Sequence, residues 1–361
     1  DVDERGVRSK SFTVDRGGKL EVSVRSGDVR ISPWSKNEVY VKAEGIDEED
    51  LERLTMTQSG NTVRVQFRPR GDWGWGGHLQ FDINIPADFN VDMKTSGGDL
   101  EVLGAISGRV EGSTSGGDIR LESVVGIVDM STSGGDIRVG DIRGNVKLGT
   151  SGGDIHLKKV DGDADVKTSG GDIKVESVGK KLEARTSGGD IEIGTVGGEV
   201  NASTAGGDVK VGKVSGGARL RTSGGDIRLM GASGNVNAST AGGDIELRDI
   251  TGSVEAKTAG GDIKAEMRPT GKGSSELKTA GGDIRLAIPE NAKATIEAVI
   301  YVQGRWGSRR DRYDIRSDFK ADTYEKTSDG DEIHATYVLN GGGERIYLET
   351  TNSNIEIRKL R

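Results

Sequence analysis

Between Asp99 and Asp283 the chain alternates apolar and polar residues in short runs, and no stretch there carries the 3.6-residue period of a helix. In the segment Asp136 to Gly153, DIRVGDIRGNVKLGTSGG, apolar side chains fall at Ile137, Val139, Ile142, Val146 and Leu148. Period-two alternation predicts very short, half-buried strands. The alternation breaks at Gly140-Asp141, at Gly144-Asn145 and at Ser151-Gly152-Gly153, which are turn signals. Each such unit therefore reads as two or three strands joined by tight corners.

The unit repeats. Gly-Gly-Asp occurs eleven times, with its aspartate at Asp99, Asp118, Asp136, Asp154, Asp172, Asp190, Asp208, Asp226, Asp244, Asp262 and Asp283. The first step is 19 residues, the next eight are 18 each and the last is 21. Apolar columns keep the same phase, for example Val124, Ile142, Val160, Val178, Val196 and Val214. One coil of this length cannot bury its apolar face alone, but stacked neighbours can cover it. The expectation is an all-β fold: a single-stranded parallel β-helix, or β-solenoid, with 18 residues per coil. Three turn signals per unit favour a triangular cross-section, and a right-handed coil is the default guess. At the strand spacing of ~4.8 Å, ten steps give a rod of roughly 50 Å.

The ends differ. All 15 aromatic residues lie outside Asn90 to Ile300. A solenoid needs caps, because an open end exposes unpaired backbone and interior. Residues 1–95 read as an N-terminal cap with irregular β coils, 96–288 as the regular array, and 289–361 as a C-terminal β cap with a degenerate last coil. Degraded copies of the unit precede the array at Ser26 to Ile31 and Ser59 to Val65, and one at Thr350 to Ile357 closes it. Asp47 to Leu54 is the one short helix candidate.

Composition sharpens this picture. Glycine supplies 58 of 361 residues, and hydrophobics only 32%, which suits a thin aliphatic interior with many corners. Cysteine is absent, which excludes disulfides and Cys-ligated metals. The net charge of −8 arises from 50 basic and 58 acidic residues, so bulk electrostatics do not attract polyanions. No apolar run reaches the ~18–20 residues of a membrane span. The chain opens at Asp1 and reads as a mature or trimmed chain, for which a cell-envelope or extracellular location after removal of a signal segment is expected.

The residues also resemble a known family. Phe12 to Val14, Gly17 to Val22, Gly27 to Val29, the entry IPADFNVDMKTSGGDLEV (Ile85 to Val102) and the Thr-Ser-Gly-Gly-Asp-Ile repeats look like the bacterial DUF4097 β-strand repeat proteins, which carry a provisional adhesin label. The resemblance covers essentially the whole chain. It implies a bacterial envelope or surface protein with a β-helical domain, and it brings no established catalytic residues.

Several features can carry chemistry. Eleven aspartates in register repel one another, at somewhat under ~1 kcal/mol per neighbouring pair in water. Asx-type bonds from backbone N–H groups within each corner would offset this, and a calcium ladder is the alternative; no other cofactor is expected. The threonine column (Thr95, Thr114, Thr132, Thr150 and onward) would suit ice binding if it faced water, but the alternation places it inward, bonded to a neighbouring coil. The outward column after Ile is basic in seven of eleven units, from Arg120 and Arg138 to Arg285. It reads first as a solvated, anti-aggregation face and second as a track for an anionic polymer. Nucleic acid is not expected, since no aromatic residue interleaves the stripe for base stacking. Catalysis needs unlike groups converging where regularity breaks, and only His78, His156 and His334 exist, so no catalytic residue is assigned.

Two irregular loops are the candidates for recognition. One holds Trp73, Trp75 and His78; the other holds Arg305, Trp306, Arg309 and Arg310. Trp and Arg anchor interfaces, but these tryptophans read first as folding back over the solenoid ends and second as a binding surface. The leading expectation is a non-catalytic adhesin-like or scaffold module binding an unidentified protein or envelope polysaccharide, as a monomer or weak oligomer. A self-assembling structural rod and a polysaccharide-active β-helix enzyme are the alternatives.

Overall fold

The period-two runs become strands, and each 18-residue unit becomes one coil. A computed structural model describes residues 2–3, 7–70, 79–270, 273–303, 312–327 and 331–360, within two units, Asp1–Gly179 and Lys180–Arg361. Among the described residues the regular elements are strands, apart from one 3₁₀ turn at Glu48–Arg53, where the short helix was expected.

In the first unit a typical coil runs Ile155–Val160, then a corner, then Ala164–Lys167. The longer strand stacks in parallel register on its neighbours, with Ile119, Ile137, Ile155 and Ile173 in one column. The shorter strand stacks in a second sheet, with Val110, Val128, Val146 and Ala164 in another. These side chains are all buried. β-branched residues fit a pleated, covered surface, and fully burying one such aliphatic side chain contributes about 1.5–3 kcal/mol. A slip of one residue would turn every column outward, so the constant coil length and the buried columns enforce each other.

The strands fall in two sheets, not three, and the triangular expectation is corrected accordingly. Gly140-Asp141 does not start a new strand. It is a break in alternation inside Ile137–Arg143, where Val139 and Ile142 are both buried while ladder pairing continues at Asp141 and Ile142. Gly140 lies against the preceding coil's backbone, where a Cβ would overlap the Glu122 carbonyl oxygen.

The start of the first unit departs from chain order. Gly18–Val24 lies between Thr62–Phe67 and Phe89–Lys94, parallel to both. Asp28–Trp34 lies between Gln80–Pro86 and Leu100–Ser107. Antiparallel strands then seal the edges: Glu38–Glu44 on Gln80–Pro86, Val7–Thr13 on Glu38–Glu44, and Leu54–Ser59 on Thr62–Phe67. Phe67, Phe81 and Phe89 are fully buried here, and the Phe67 and Phe81 rings lie 6.1 Å apart.

The second unit repeats the coil, with Ile191, Val209, Ile227, Ile245 and Ile263 in one buried column and Val200, Ala218, Val236 and Val254 in the other. Its end uses the same device as the first unit's start. Glu344–Thr351 lies between Ser274–Thr279 and Ala294–Tyr301, parallel to both. Ile355–Lys359 lies between Ile284–Ile288 and Ile315–Ser317. Glu332–Leu339 then pairs antiparallel with Ala294–Tyr301, and Thr323–Lys326 with Glu332–Leu339. The copy at Thr350 to Ile357 therefore does not close the array as its outermost coil. It is inserted one coil inside the end.

Candidate functional site

The aspartate column is engaged, but with a different partner from the one expected. Asp118 Oδ1 accepts the backbone N–H of Asp136 at 2.8 Å, and Asp136 Oδ1 that of Asp154 at 2.9 Å. In the second unit Asp208 Oδ1 accepts from Asp226 at 2.9 Å, and Asp244 Oδ1 from Asp262 at 2.7 Å. The bond runs from coil to coil, not within a corner. The reason is local: in the corner of Asp136 the Gly134 N–H is already given to the Ser115 carbonyl at 3.0 Å and the Gly135 N–H to Thr132 Oγ1 at 3.3 Å. Stacking brings the next coil's N–H within reach instead. The column continues beyond the aspartates, since Asp99 N–H donates to Asp28 Oδ1, Asn354 N–H to Asp283 Oδ1, and Asp314 N–H to Asn354 Oδ1.

The threonines point inward and are buried. Thr132 Oγ1 donates to the Gly117 carbonyl at 2.8 Å and Thr150 Oγ1 to that of Gly135 at 2.9 Å, while each accepts an N–H three residues on. Their hydroxyls thus satisfy corner backbone that has no strand ladder of its own, and they are not presented to water.

The outward basic column is largely spent on the same aspartates. Arg138 donates to Asp136 Oδ2 at 2.8 Å and Arg228 to Asp226 Oδ2 at 3.1 Å, while Lys210 lies 3.4 Å from Asp208 Oδ2. His156 contacts Glu176 at 3.1 Å on an exposed face. The Asp208 carboxyl is held below the usual range, chiefly by the Asp226 N–H and then by Lys210. Among the described residues no group of three His, Asp or Glu side chains is placed to hold a metal ion.

Both candidate recognition loops, with Trp73, Trp75 and His78 in one and Arg305, Trp306, Arg309 and Arg310 in the other, lie outside the described residues. What the described residues offer instead is a groove of about 990 Å³ on the outer face of the second unit's shorter strands, with Asn201, Arg219, Asn237, Glu255 and Tyr347 in its lining. Its acidic side is held by lysines. Lys257 bonds Glu255 at 2.6 Å and Glu276 at 2.8 Å, and its ammonium is pushed up to about 12, first by Glu255 and then by Glu276. The Glu276 carboxyl is correspondingly lowered by Lys257 and Lys278. Lys278 also lies 5.2 Å from the centre of the Tyr347 ring, and the Tyr347 hydroxyl donates to Glu349 at 2.8 Å.

Nearby is a buried carboxyl that sequence reading missed. Glu344 is 2% exposed, and Ser275 Oγ donates to it at 2.8 Å while accepting the Val254 N–H at 2.9 Å. Burial pushes its pKa up. The signal available was an acidic residue in an inward phase of the Glu344–Thr351 alternation.

The family model Toastrack DUF4097 matches residues 18–213 and again 178–301. No curated protein matches the chain. Among solved structures, a "putative cell adhesion protein" from Clostridium sporogenes is 8% identical over 98% of this chain and 100% of that one, with a TM-score of 0.19. A "putative lipid binding protein" from Parabacteroides distasonis is 12% identical over 78% and 97%, with a TM-score of 0.31. A "putative adhesin" from Bacteroides fragilis is 11% identical over 99% of each chain, with a TM-score of 0.22.

Proposed function

We propose that this chain, which belongs to the Toastrack DUF4097 family, is a non-catalytic binding module of the bacterial cell envelope or exterior. The observation that carries this reading is a division of labour among side chains. The repeated Asp and Thr columns are committed to joining coil to coil, while the shorter strands of residues 180–361 hold out a polar groove on a register-locked face. A general acid or base works best with a pKa near the operating pH. The groove's Glu276 is driven the other way by its lysines, which suits a fixed charge rather than proton transfer. A cysteine-free chain also suits an oxidising exterior, where free thiols react.

Co-sedimentation of the purified chain with isolated bacterial envelopes, with the supernatant assayed for released saccharide, tests this reading. Saturable retention without release is expected. Absence of retention, or steady release of soluble fragments, would overturn it.

A further inference from the structure

The outer face of the shorter strands in residues 180–361 is a lattice of ion pairs with one gap. Arg185 is paired with Glu183, Lys257 with Glu255 and Glu276, Lys278 with Glu276 at 2.8 Å, and Arg345 with Glu297 at 2.7 Å. On Ala218–Arg221 the positions that hold an acid and a base two coils away on either side, Glu183 and Arg185 on one and Glu255 and Lys257 on the other, hold two arginines instead. Arg219 and Arg221 are exposed, and among the described residues neither guanidinium has a hydrogen-bond or ion-pair partner. Their in-register neighbours are short and uncharged: Asn201 and Asn237 flank Arg219, and Ser203 and Ser239 flank Arg221. The flanking segments Val200 to Asp208 and Val236 to Asp244 are identical in sequence, VNASTAGGD. The result is a pair of free guanidiniums framed by amides and hydroxyls, with Asn201, Arg219 and Asn237 lining the groove.

We infer that this patch binds an acidic polysaccharide. The inference deepens the binding-module reading and rests on it. The two arginines lie two residues apart on one face of a strand, which sets their Cα atoms ~6.6 Å apart. Guanidinium pairs with carboxylate, sulfate or phosphate through two parallel N–H bonds, so the patch engages acidic groups spaced along an extended chain. The Asn201 amide and the Ser203 and Ser239 hydroxyls on either side suit the sugar hydroxyls between those groups, while the Asn237 amide donates to Glu255 at 2.8 Å. A protein partner would want an apolar anchor pocket, and the patch has none. A nucleic acid would want a free ring for base stacking, whereas Tyr347, the groove's aromatic residue, is covered by Lys278 and tied to Glu349.

Affinity electrophoresis in gels carrying polygalacturonate, dextran sulfate or neutral dextran tests the assignment. The wild-type chain is expected to be retarded by the two acidic polymers and not by dextran. R219Q/R221Q is expected to weaken that retardation at least tenfold. R120Q/R143Q, which removes the same charge from exposed sites in the first unit, is expected to keep it. N201D/N237D, which places carboxylates beside Arg219, is expected to lose it. Thermal melts of the four proteins confirm folding. No retardation by either acidic polymer, equal loss in the two arginine doubles, or retention by N201D/N237D would overturn the inference. Envelope retention that survives R219Q/R221Q would overturn the site and leave the module standing, while failure of the wild type to be retained would overturn the module itself.

Discussion

At the scale of single residues, the two glycines of each Gly-Gly-Asp corner are not equivalent. A Cβ on Gly135 would overlap the carbonyl oxygen of Gly117 in the preceding coil, whereas a Cβ on Gly134 would meet its nearest atom, the Gly116 oxygen, at 3.5 Å. Gly135→Ala is therefore expected to cost about 2 kcal/mol or more in denaturant unfolding, and Gly134→Ala well under half of that. The coil-to-coil bond of this column needs an oxygen rather than a charge, because Asn354 fills the same column and accepts the Asp314 N–H at 3.0 Å. Asp154→Asn should leave the melting temperature nearly unchanged, while Asp154→Ala orphans the Asp172 N–H and should cost about 1–3 kcal/mol. Glu344 gives a pH signature. Its folded pKa is raised by burial, so the fold holds the proton more tightly than the unfolded chain. Its contribution is fully present below the unfolded pKa and is lost as pH rises through the folded one. The melting temperature of Glu344→Gln minus that of the wild type should accordingly be larger at pH 7 than at pH 4, and a smaller difference at pH 7 would contradict the assignment.

At the scale of elements, the coil is the unit of exchange and its length is the constraint. Removing residues 137–154 joins Asp136 to Ile155 and deletes one period. The columns then close in phase, and the shortened chain is expected to stay soluble with a single cooperative melt. Inserting one residue between Leu157 and Lys158 turns Val160 outward and should bring aggregation on expression. The end coils obey a different rule. Ser26 to Ile31 and Thr350 to Ile357 were legible as copies of the unit, but not as inserted coils, because a copy looks the same whichever neighbours it pairs with. Their position is fixed by chain-distant pairing, such as Ile284 with Ile355 and Ile315 with Ile355, which no local pattern reports. The third corner failed for a related reason. A break in alternation at Gly140 resembles a turn, yet backbone stacking on Glu122 carries the ladder through it.

At the scale of the whole molecule, repetition made the fold legible and drew attention away from the site. The columns of Asp, Thr and outward base are the loudest features of the sequence, and the geometry spends the first two on holding coils together and much of the third on pairing with the aspartates. Arg219 and Arg221 stand out only once the register shows that their neighbours are Asn201, Asn237, Ser203 and Ser239 rather than carboxylates. That separation, with repeated residues for structure and the interruption for recognition, is the central claim. Its most direct test is a single envelope co-sedimentation experiment on three proteins. The account predicts that Asp154→Asn binds as the wild type does and that R219Q/R221Q binds at least tenfold more weakly. The opposite ranking, with Asp154→Asn impaired and R219Q/R221Q unchanged, would contradict it.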